Sequence, residues 1–413
     1  MADNHITYST FEGFRPHFNA LARVGYFKIV LKPLSRTKRS LHNVYCFICS
    51  AFILTYNLQH VIRVIKVRHS INLIVDTLFI LLTTLNSLAK QVAFNVRTRR
   101  IDNLITIING PVFAASKAYH VDVLKENALM MSRLLTLYHV AIFTCGIMWT
   151  VFPIVNRLLG AEVQFTGYFP FETTSTMAFS LALAYMNILI TIQAYGNVTM
   201  DCTIVAFYAQ AKIQIQMLRY NLEQLVVFDD TKKKSTQLTK RPTHTIYKDE
   251  EEEKSEIQDR LKKCVLHYNQ ILRFTKEVES IFGEAMVIQF FVMAWVICMT
   301  MYKIVGLSIV SAEFVSMAVY LGCMLAQLFI YCYFGTQLKV ESESVNQSLY
   351  CCDWLCLSPR FRRQLLVMMQ CCERPLAPRT AYVIPMSLET YISVKTTFLT
   401  RVLDIVRCLL FYT

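Results

Sequence analysis

The sequence predicts an all-α, polytopic membrane protein with seven transmembrane helices, its N-terminus in the cytoplasm and its C-terminus outside. Three observations support this fold class. Hydrophobic residues make up 54% of the 413 residues, and the mean hydropathy is +0.37. The apolar residues are gathered into seven stretches, each with about the 20 residues that cross a bilayer core of about 30 Å as a helix. The lysines and arginines lie almost entirely in alternate segments between those stretches.

The predicted helices divide the chain into alternating membrane and cytoplasmic parts. We expect the helices at 43–63, 71–93, 134–156, 176–200, 284–305, 312–336 and 385–410. On this division, residues 1–42 form a cytoplasmic N-terminal segment and residues 43–200 hold the first four helices. A cytoplasmic extension, 201–283, precedes the fifth and sixth helices in 284–336. A cytoplasmic segment, 337–384, then precedes the last helix and a short extracellular tail in 385–413.

The distribution of positive charge predicts the orientation. Of the 42 lysines and arginines, 34 fall in the leader 1–42 and in the connections 90–133, 201–283 and 337–384, whereas six fall on the other face. Positively charged loops stay in the cytoplasm during membrane insertion. A G-protein-coupled receptor has seven helices in the opposite orientation, so the asymmetry argues against that class. The net charge of +13 is interpreted as a surface facing anionic membrane lipid, with no nucleic acid as a partner.

The cytoplasmic connections carry helical patterns of their own. In 94–133 the second helix is expected to continue to a break at Asn109-Gly110-Pro111, after which a new helix leads into the third span. Residues 201–228 have apolar side chains at helical spacing, and so does the segment from Ser255. Between them, the charged stretch 229–254 is predicted to be a disordered linker. The amphipathic helices indicate a packed intracellular layer.

The last predicted helix, 385–410, is the least apolar of the seven. Four polar side chains recur in it at steps of three or four residues and therefore share one helix face: Thr397, Thr400, Asp404 and Arg407. Charged residues in a transmembrane helix are tolerated where they face water or protein. The face is interpreted either as a pore lining or as a buried face with internal ion pairs, and the hydroxyl groups favour the pore.

The outer halves of the other helices are rich in aromatic and methionine side chains. Such side chains form adaptable apolar cavities with a few hydroxyl or indole groups for hydrogen bonds. The candidate ligand-binding residues are Phe79, Trp149, Phe152, Met177, Tyr185, Met299, Tyr302 and Tyr320. Ordinary bundle packing explains each of them about equally well. Trp149 and Tyr302 are the strongest candidates, because their polar groups need a partner at this depth.

The last third of the chain carries an ordered series of short motifs. They are Gly335-Thr-Gln-Leu338, Ser342-Glu-Ser-Val345, Tyr350 four residues before Trp354, a basic helix from Arg360 towards Pro375, and Ser387-Leu-Glu-Thr-Tyr391. In this order they closely resemble the C-terminal signature of the insect odorant receptor family. Supporting matches, Cys264–Phe274 and Glu279–Phe282, precede the fifth span. The ordered series is specific, whereas no single motif is.

The resemblance implies a function and an assembly. Members of this family are N-in, C-out subunits of four-fold cation channels, in which a variable ligand-binding subunit assembles with a common co-receptor. This chain would be a tuning subunit that binds a small hydrophobic odorant in the outer half of the bundle, in the dendritic membrane of an olfactory sensory neuron. An anchor helix would lie in 337–384 and a pore-lining helix in 385–413. Asp404 and Arg407 fall where the family has a hydrophobic gate, which favours a heterotetramer with the co-receptor over a homomer.

Two other function classes, a gustatory receptor and an enzyme, agree less well with the sequence. A gustatory receptor would be a channel of the same architecture, but the Ser-Glu-x-Val and Ser-Leu-Glu-Thr motifs favour the odorant branch. An enzyme has little support, because the titratable residues form no convergent acid–base set and the nine histidines are scattered along the chain. The sequence predicts no cofactor and no metal site.

Overall fold

The computed structural model describes residues 8–28, 35–160, 165–173, 175–226, 243–305, 312–380, 384–397 and 400. A 3₁₀ turn, Thr10–Gly13, leads into the first of a series of helices. The helices are α1 (Arg15–Arg23), α2 (Arg36–Lys66), α3 (Ile71–Val96), α4 (Thr98–Ile108), α5 (Ala118–Leu158), α6 (Thr176–Glu223), α7 (Thr243–Val305), α8 (Ala312–Cys351) and α9 (Pro359–Cys372). The two short antiparallel strands β1 (Arg379–Thr380) and β2 (Ile384–Pro385) follow, and a last helix, α10, covers residues 388–397.

Six helices of the described chain are long and apolar enough to cross a membrane, and they contain the first six predicted spans. Large apolar side chains point outward from them, such as Phe47 on α2, 75% exposed, and Leu158 on α5, 81% exposed. Such side chains suit a lipid environment rather than water. The chain is therefore an all-α, multi-pass membrane protein, which confirms the predicted fold class. Of the seventh predicted span, 385–410, only residues 385–397 and 400 are described.

Helices α5 to α8 run well beyond their apolar spans and pack into a second layer. The lower half of α6, from Met200 to Leu222, is almost fully buried in it. The ring of Phe207 lies with its centroid 6.2 Å from that of Phe274 and 6.0 Å from that of Phe282, both on α7. This layer is the packed helical layer that the amphipathic patterns predicted.

The N-terminal segment also belongs to this layer, a contact that the sequence analysis missed. The Phe14 and Phe207 ring centroids are 5.0 Å apart, and Phe11 and Phe18 are buried beside them. The spacing of Phe11, Phe14 and Phe18 at steps of three and four residues was the available signal. The Tyr26 ring also packs directly on the backbone of Gly196 in α6. A Cβ at Gly196 would overlap this ring, so the contact requires glycine.

The connections predicted to be cytoplasmic agree with the expectations in part. A helix ends before Asn109-Gly110-Pro111 as predicted, but the second span does not continue unbroken to that point, because α3 ends at Val96 and α4 covers Thr98–Ile108. The predicted disordered linker, 229–254, overlaps α7, which begins at Thr243. The Glu and Lys residues of 243–254 are good helix formers and extend the amphipathic helix backwards. Residues 227–242 lie outside the described part of the chain.

The segment 337–384 is not one helix, contrary to the expected anchor helix. Helix α8 carries on from the sixth span to Cys351, and the shorter α9 begins only at Pro359. Proline is favoured in the first turn of a helix, and it disfavours helical conformation at the residue before it. Pro359 therefore separates the two helices, and the segment predicted as one anchor helix is divided between the end of α8 and α9.

Candidate functional site

A cavity of about 450 Å³ lies inside the bundle, between α3, α5, α6 and α8. Sites for small organic ligands typically have about 300–1,000 Å³. Its wall is mainly apolar, with Phe79 of α3, Trp149 of α5, Ile190 of α6 and Tyr320 of α8 among the lining residues. The rings of Phe79 and Tyr320 are in contact, with centroids 4.5 Å apart. The cavity can hold a small apolar molecule between aromatic faces.

A smaller cavity of about 240 Å³ adjoins the first one towards the outer end predicted for the bundle. Phe79, Ile80, Trp149 and Ile190 line both cavities, so these four side chains form the partition between them. Because Trp149 lies in that partition, its indole ring is placed to contact a molecule in either space.

The connection between α5 and α6 covers the outer cavity. Phe165 lines that cavity and packs on Phe179 of α6, with ring centroids 5.3 Å apart. The Tyr168 amide donates to the Gln59 carbonyl oxygen at 3.3 Å, and Lys66 Nζ lies 3.8 Å from the centre of the Tyr168 ring. These contacts bind the loop to α2 and α6, so its described part forms a cover over the outer cavity.

The inner part of the main cavity carries amide side chains. The Asn86 side-chain amide donates to Gln289 Oε1, and the Gln193 amide donates to the Thr84 carbonyl oxygen at 2.9 Å. These bonds use the NH₂ groups, and both side-chain oxygens are buried without a hydrogen-bond partner among the described residues. The hydroxyl oxygens of Ser87 and Tyr320 are also buried without a hydrogen-bond partner among the described residues. Buried polar atoms normally have a partner, so unpaired ones mark a place where a ligand or water can bond.

A buried ion pair lies next to the inner end of the cavity. Lys90 of α3 donates to Asp201 of α6, and both side chains are almost fully buried. Asp201 also accepts from the Gln327 amide and, at 2.5 Å, from the Tyr331 hydroxyl, both on α8. Gln327 lines the cavity as well. One carboxylate therefore joins three helices directly beneath the space where a ligand would bind.

The structure brings some of the predicted pocket residues together and separates others. Phe79, Trp149 and Tyr320 line the main cavity. Met177 is 84% exposed, because it shares the outward face of α6 with Leu181 and Ile188. Tyr185 and Met299 are half-buried, and neither is a lining residue of the two cavities. The side chains of Phe152 and Tyr302 lie outside the described part of the structure, and the ligand-binding role of all eight residues remains a prediction.

The polar residues of the inner cavity were not among the predicted site residues. The predicted pocket residues are aromatic and methionine side chains in the outer halves of the spans, whereas these polar residues lie deeper. The available signal was the presence of amides and a lysine inside apolar spans, which is costly unless they have partners or a function. Asn86 and Lys90, like Gln193 and Asn197, are also four residues apart and therefore share a helix face.

The start of α10 is held against α8. A Cβ at Gly335 would overlap the Met386 carbonyl oxygen, and the Leu388 amide donates to Thr336 Oγ1 at 2.9 Å. Of the predicted pore residues, Thr397 and Thr400 are exposed on this single chain. Thr400 Oγ1 donates to the Thr396 carbonyl oxygen at 2.9 Å. Asp404 and Arg407 lie outside the described residues, so the pore face stays a prediction.

Comparison with known proteins assigns the family. A family profile described as "7tm Odorant receptor" matches residues 70–398. Odorant receptor 46a, isoform B, of Drosophila melanogaster is 21% identical over 306 residues, covering 73% of this chain and 74% of that protein. Odorant receptor Or1 of Anopheles gambiae is 24% identical over 313 residues, covering 73% of this chain and 72% of that one.

A solved structure shares the fold. The insect olfactory receptor OR5 from Machilis hrabei, in complex with eugenol, superposes with a TM-score of 0.77 at 15% identity, covering 95% of this chain and 97% of that chain. The profile match extends over most of the chain, from the second predicted span into the last helix, and it agrees with the C-terminal motifs. This protein therefore belongs to the insect odorant receptor family, a family of ligand-binding membrane receptors rather than enzymes.

Proposed function

We propose that this chain is the tuning subunit of an odorant-gated, non-selective cation channel, assembled as a heterotetramer with the odorant receptor co-receptor. The observation that carries the proposal is the mainly apolar cavity of about 450 Å³ inside the bundle, in a chain of the odorant receptor family. The proposed place of action is the dendritic membrane of an olfactory sensory neuron.

The cavity wall supports a particular ligand chemistry. Aromatic and aliphatic side chains favour a compact apolar body through burial of its surface. The side-chain oxygens of Asn86 and Gln193 accept hydrogen bonds, and their own NH₂ groups are already bound within the protein. A ligand with a hydroxyl group satisfies such an acceptor, whereas an ether or a hydrocarbon of the same size leaves it unpaired. We therefore expect alcohols or phenols to activate the channel better than their methyl ethers.

Helix α8 is the proposed link between ligand and pore. Tyr320 and Gln327 of α8 line the cavity, and the same helix contacts the start of α10 at Gly335 and Thr336. A ligand that binds one arrangement of α8 more tightly than another shifts the population towards that arrangement. The contact at Gly335 then transmits the shift to the helix that we propose lines the pore.

The proposal is tested by expressing the chain with and without a co-receptor and recording currents with a panel of alcohols, phenols and their methyl ethers. We expect odorant-evoked cation currents only with the co-receptor, and higher potency for the hydroxyl compounds. The co-receptor alone, exposed to the same panel, is the control. Surface-expressed protein that gives no current with any member of a broad panel, with the co-receptor present, would contradict the proposed channel function.

The pore face is tested by charge neutralisation in the last helix. If Thr397, Thr400, Asp404 and Arg407 line the conduction path, Asp404 attracts cations and Arg407 partly offsets it. Asp404→Asn should lower divalent-cation permeability, and Arg407→Gln should raise it, with ligand potency much less affected. Reversal potentials under bi-ionic conditions, normalised to surface protein, measure this. Lost surface expression with unaltered permeation would instead identify a bundle-stabilising ion pair.

A further inference from the structure

A third cavity lies in the helical layer, far from the proposed odorant site. It has a volume of about 710 Å³ and is bounded by the 111–117 connection, the start of α5, the end of α6 and residues 260–267 of α7. Along α5, His120 at this cavity and Trp149 at the odorant cavity are separated by about 45 Å, at about 1.5 Å per residue. The charge distribution predicts that this layer is cytoplasmic. The two cavities are therefore separate sites.

The lining of this cavity is strongly basic. Lys117, Arg260 and Lys263 contribute three cations, and no Asp or Glu is among the described lining residues. Arg260 pairs with Glu256 at 2.8 Å, a residue outside the lining. Lys117 Nζ lies 4.8 Å from the centre of the Tyr220 ring. Burial, and then the charge of Arg260, lower the pKa of Lys117 below its usual range, so the cations of this cavity are close enough to repel one another.

A buried histidine adds an unused donor. His120 lines the cavity and is only 1% exposed. The Ser116 amide donates to its Nδ1 at 3.3 Å, so a neutral ring carries its proton on Nε2. Asn221 lies beside the ring, yet Nε2 makes no hydrogen bond of acceptable geometry with any described residue. A buried N–H without an acceptor of good geometry, in a cavity that Lys117 and Lys263 also line, is a further donor for an anion.

We propose that this cavity binds a multiply charged, phosphate-bearing anion, which bridges the start of α5, the end of α6 and residues 260–267 of α7. Phosphate oxygens accept charge-assisted hydrogen bonds from Lys, Arg and His donors at once. Arg260 is already paired with Glu256, so a single carboxylate would compensate only one of the two lysines, whereas a doubly charged phosphate compensates both. The same chemistry is offered by a soluble polyphosphate and by a phosphoinositide headgroup, and the two sources are separated by experiment.

The experiment uses purified full-length protein without odorant. Binding of inositol 1,4,5-trisphosphate is measured in detergent, and binding to phosphoinositide is measured in nanodiscs that contain phosphatidylinositol 4,5-bisphosphate, against nanodiscs matched in charge with phosphatidylserine. The test variant is Lys117→Gln with Lys263→Gln. The control is Lys262→Gln, because Lys262 is exposed, adjacent in sequence, and not among the lining residues.

We expect the double variant to weaken binding by roughly 10- to 100-fold, since each lost charge-assisted hydrogen bond contributes about a factor of ten. The control variant should bind like the unmodified protein. Inositol 1,4,5-trisphosphate is the free headgroup of phosphatidylinositol 4,5-bisphosphate. Tighter binding to the phosphoinositide nanodiscs than to this free headgroup therefore identifies the lipid as the ligand, and equal or tighter binding of the free headgroup identifies a soluble polyphosphate. Both results support the site.

Three results would overturn the proposal. In the first, neither probe binds at low salt. In the second, Lys262→Gln weakens binding as much as the double variant does. In the third, the protein binds the phosphatidylserine nanodiscs as tightly as the phosphoinositide nanodiscs. If the double variant does not fold, Lys263→Gln alone decides, because Lys263 is exposed and its loss leaves the packed residues unchanged. Because no odorant or current is involved, failure here is distinct from failure of the proposed channel function.

Discussion

Asp201 is the residue on which the buried polar contacts of the bundle converge. It is 5% exposed and accepts hydrogen bonds from Lys90, Gln327 and Tyr331. A buried carboxylate is costly to desolvate, and it persists where several donors compensate it. Because the donors come from α3 and α8, the carboxylate sets the relative positions of both helices against α6.

Asp201→Asn should destabilise the fold strongly, because it leaves the Lys90 ammonium buried without a countercharge. We expect a loss of about 3–5 kcal/mol, measured as a lower thermal transition of purified protein and reduced surface expression. Adding Lys90→Met removes the stranded charge and should restore most of the stability. Asp259→Asn, at an exposed position of α7, is the matched control. If Asp201→Asn is as stable as that control, the ion pair does not hold the bundle.

Trp149 is well placed to contact a ligand, because it is one of the four side chains that line both cavities and the only one of the four with a hydrogen-bond donor. Trp149→Ala should shift odorant potency by roughly 5- to 150-fold, as loss of one buried aromatic contact of about 1–3 kcal/mol would. Dose–response curves at matched surface expression measure this. Ile147→Ala, on the exposed face of the same helix, should leave potency unchanged. Unchanged potency of Trp149→Ala across the panel would show that the odorant binds elsewhere.

At the scale of the elements, α8 is the helix that touches every part of the proposed mechanism. It lines the odorant cavity, contributes Gln327 and Tyr331 to the Asp201 cluster, and contacts the start of α10. Gly335 permits the last contact, since any side chain there would overlap the Met386 backbone. The first motif residue of the C-terminal series therefore has a steric explanation.

Gly335→Ala should separate α10 from α8 and cost about 1–3 kcal/mol of stability, as overpacking does. We expect a lower thermal transition and a smaller odorant current per surface channel. Gly322→Ala on the same helix is the control for stability, because a Cβ there meets no described atom within 4 Å. The control should be neutral or slightly stabilising, since alanine is the better helix former. Equal thermal transitions in both variants would exclude a tight contact at Gly335.

At the scale of the whole molecule, the predicted orientation rests on charge rather than on packing. A helix bundle packs equally well in either orientation, whereas the excess of lysines and arginines in the segments predicted to be cytoplasmic, 34 of 42, biases insertion. An epitope at the N-terminus should be labelled only after permeabilisation, and one after Thr413 should be labelled on intact cells. A cytosolic marker protein serves as the permeability control. Surface labelling of the N-terminal epitope would contradict both the orientation and the proposed channel.

The sequence by itself determined the helical architecture and the family. Apolar runs of membrane length are a local property, so the first six spans could be predicted without tertiary information. The same holds for the end of a helix before Asn109-Gly110-Pro111. The C-terminal motifs were equally local, since they are recognised by their order along the chain. The predicted orientation depends on the same local charge counts.

Only the tertiary structure decided which helix faces surround the cavities. In a membrane protein both the lipid-facing and the bundle-facing sides are apolar, so periodicity says little about which side packs. Met177 and Trp149 looked alike in the sequence, yet one faces outward and the other lines the cavity. The partners Asn86 and Gln289, or Lys90 and Asp201, are more than a hundred positions apart. Such pairs form only when the helices have packed, because no local pattern links their positions.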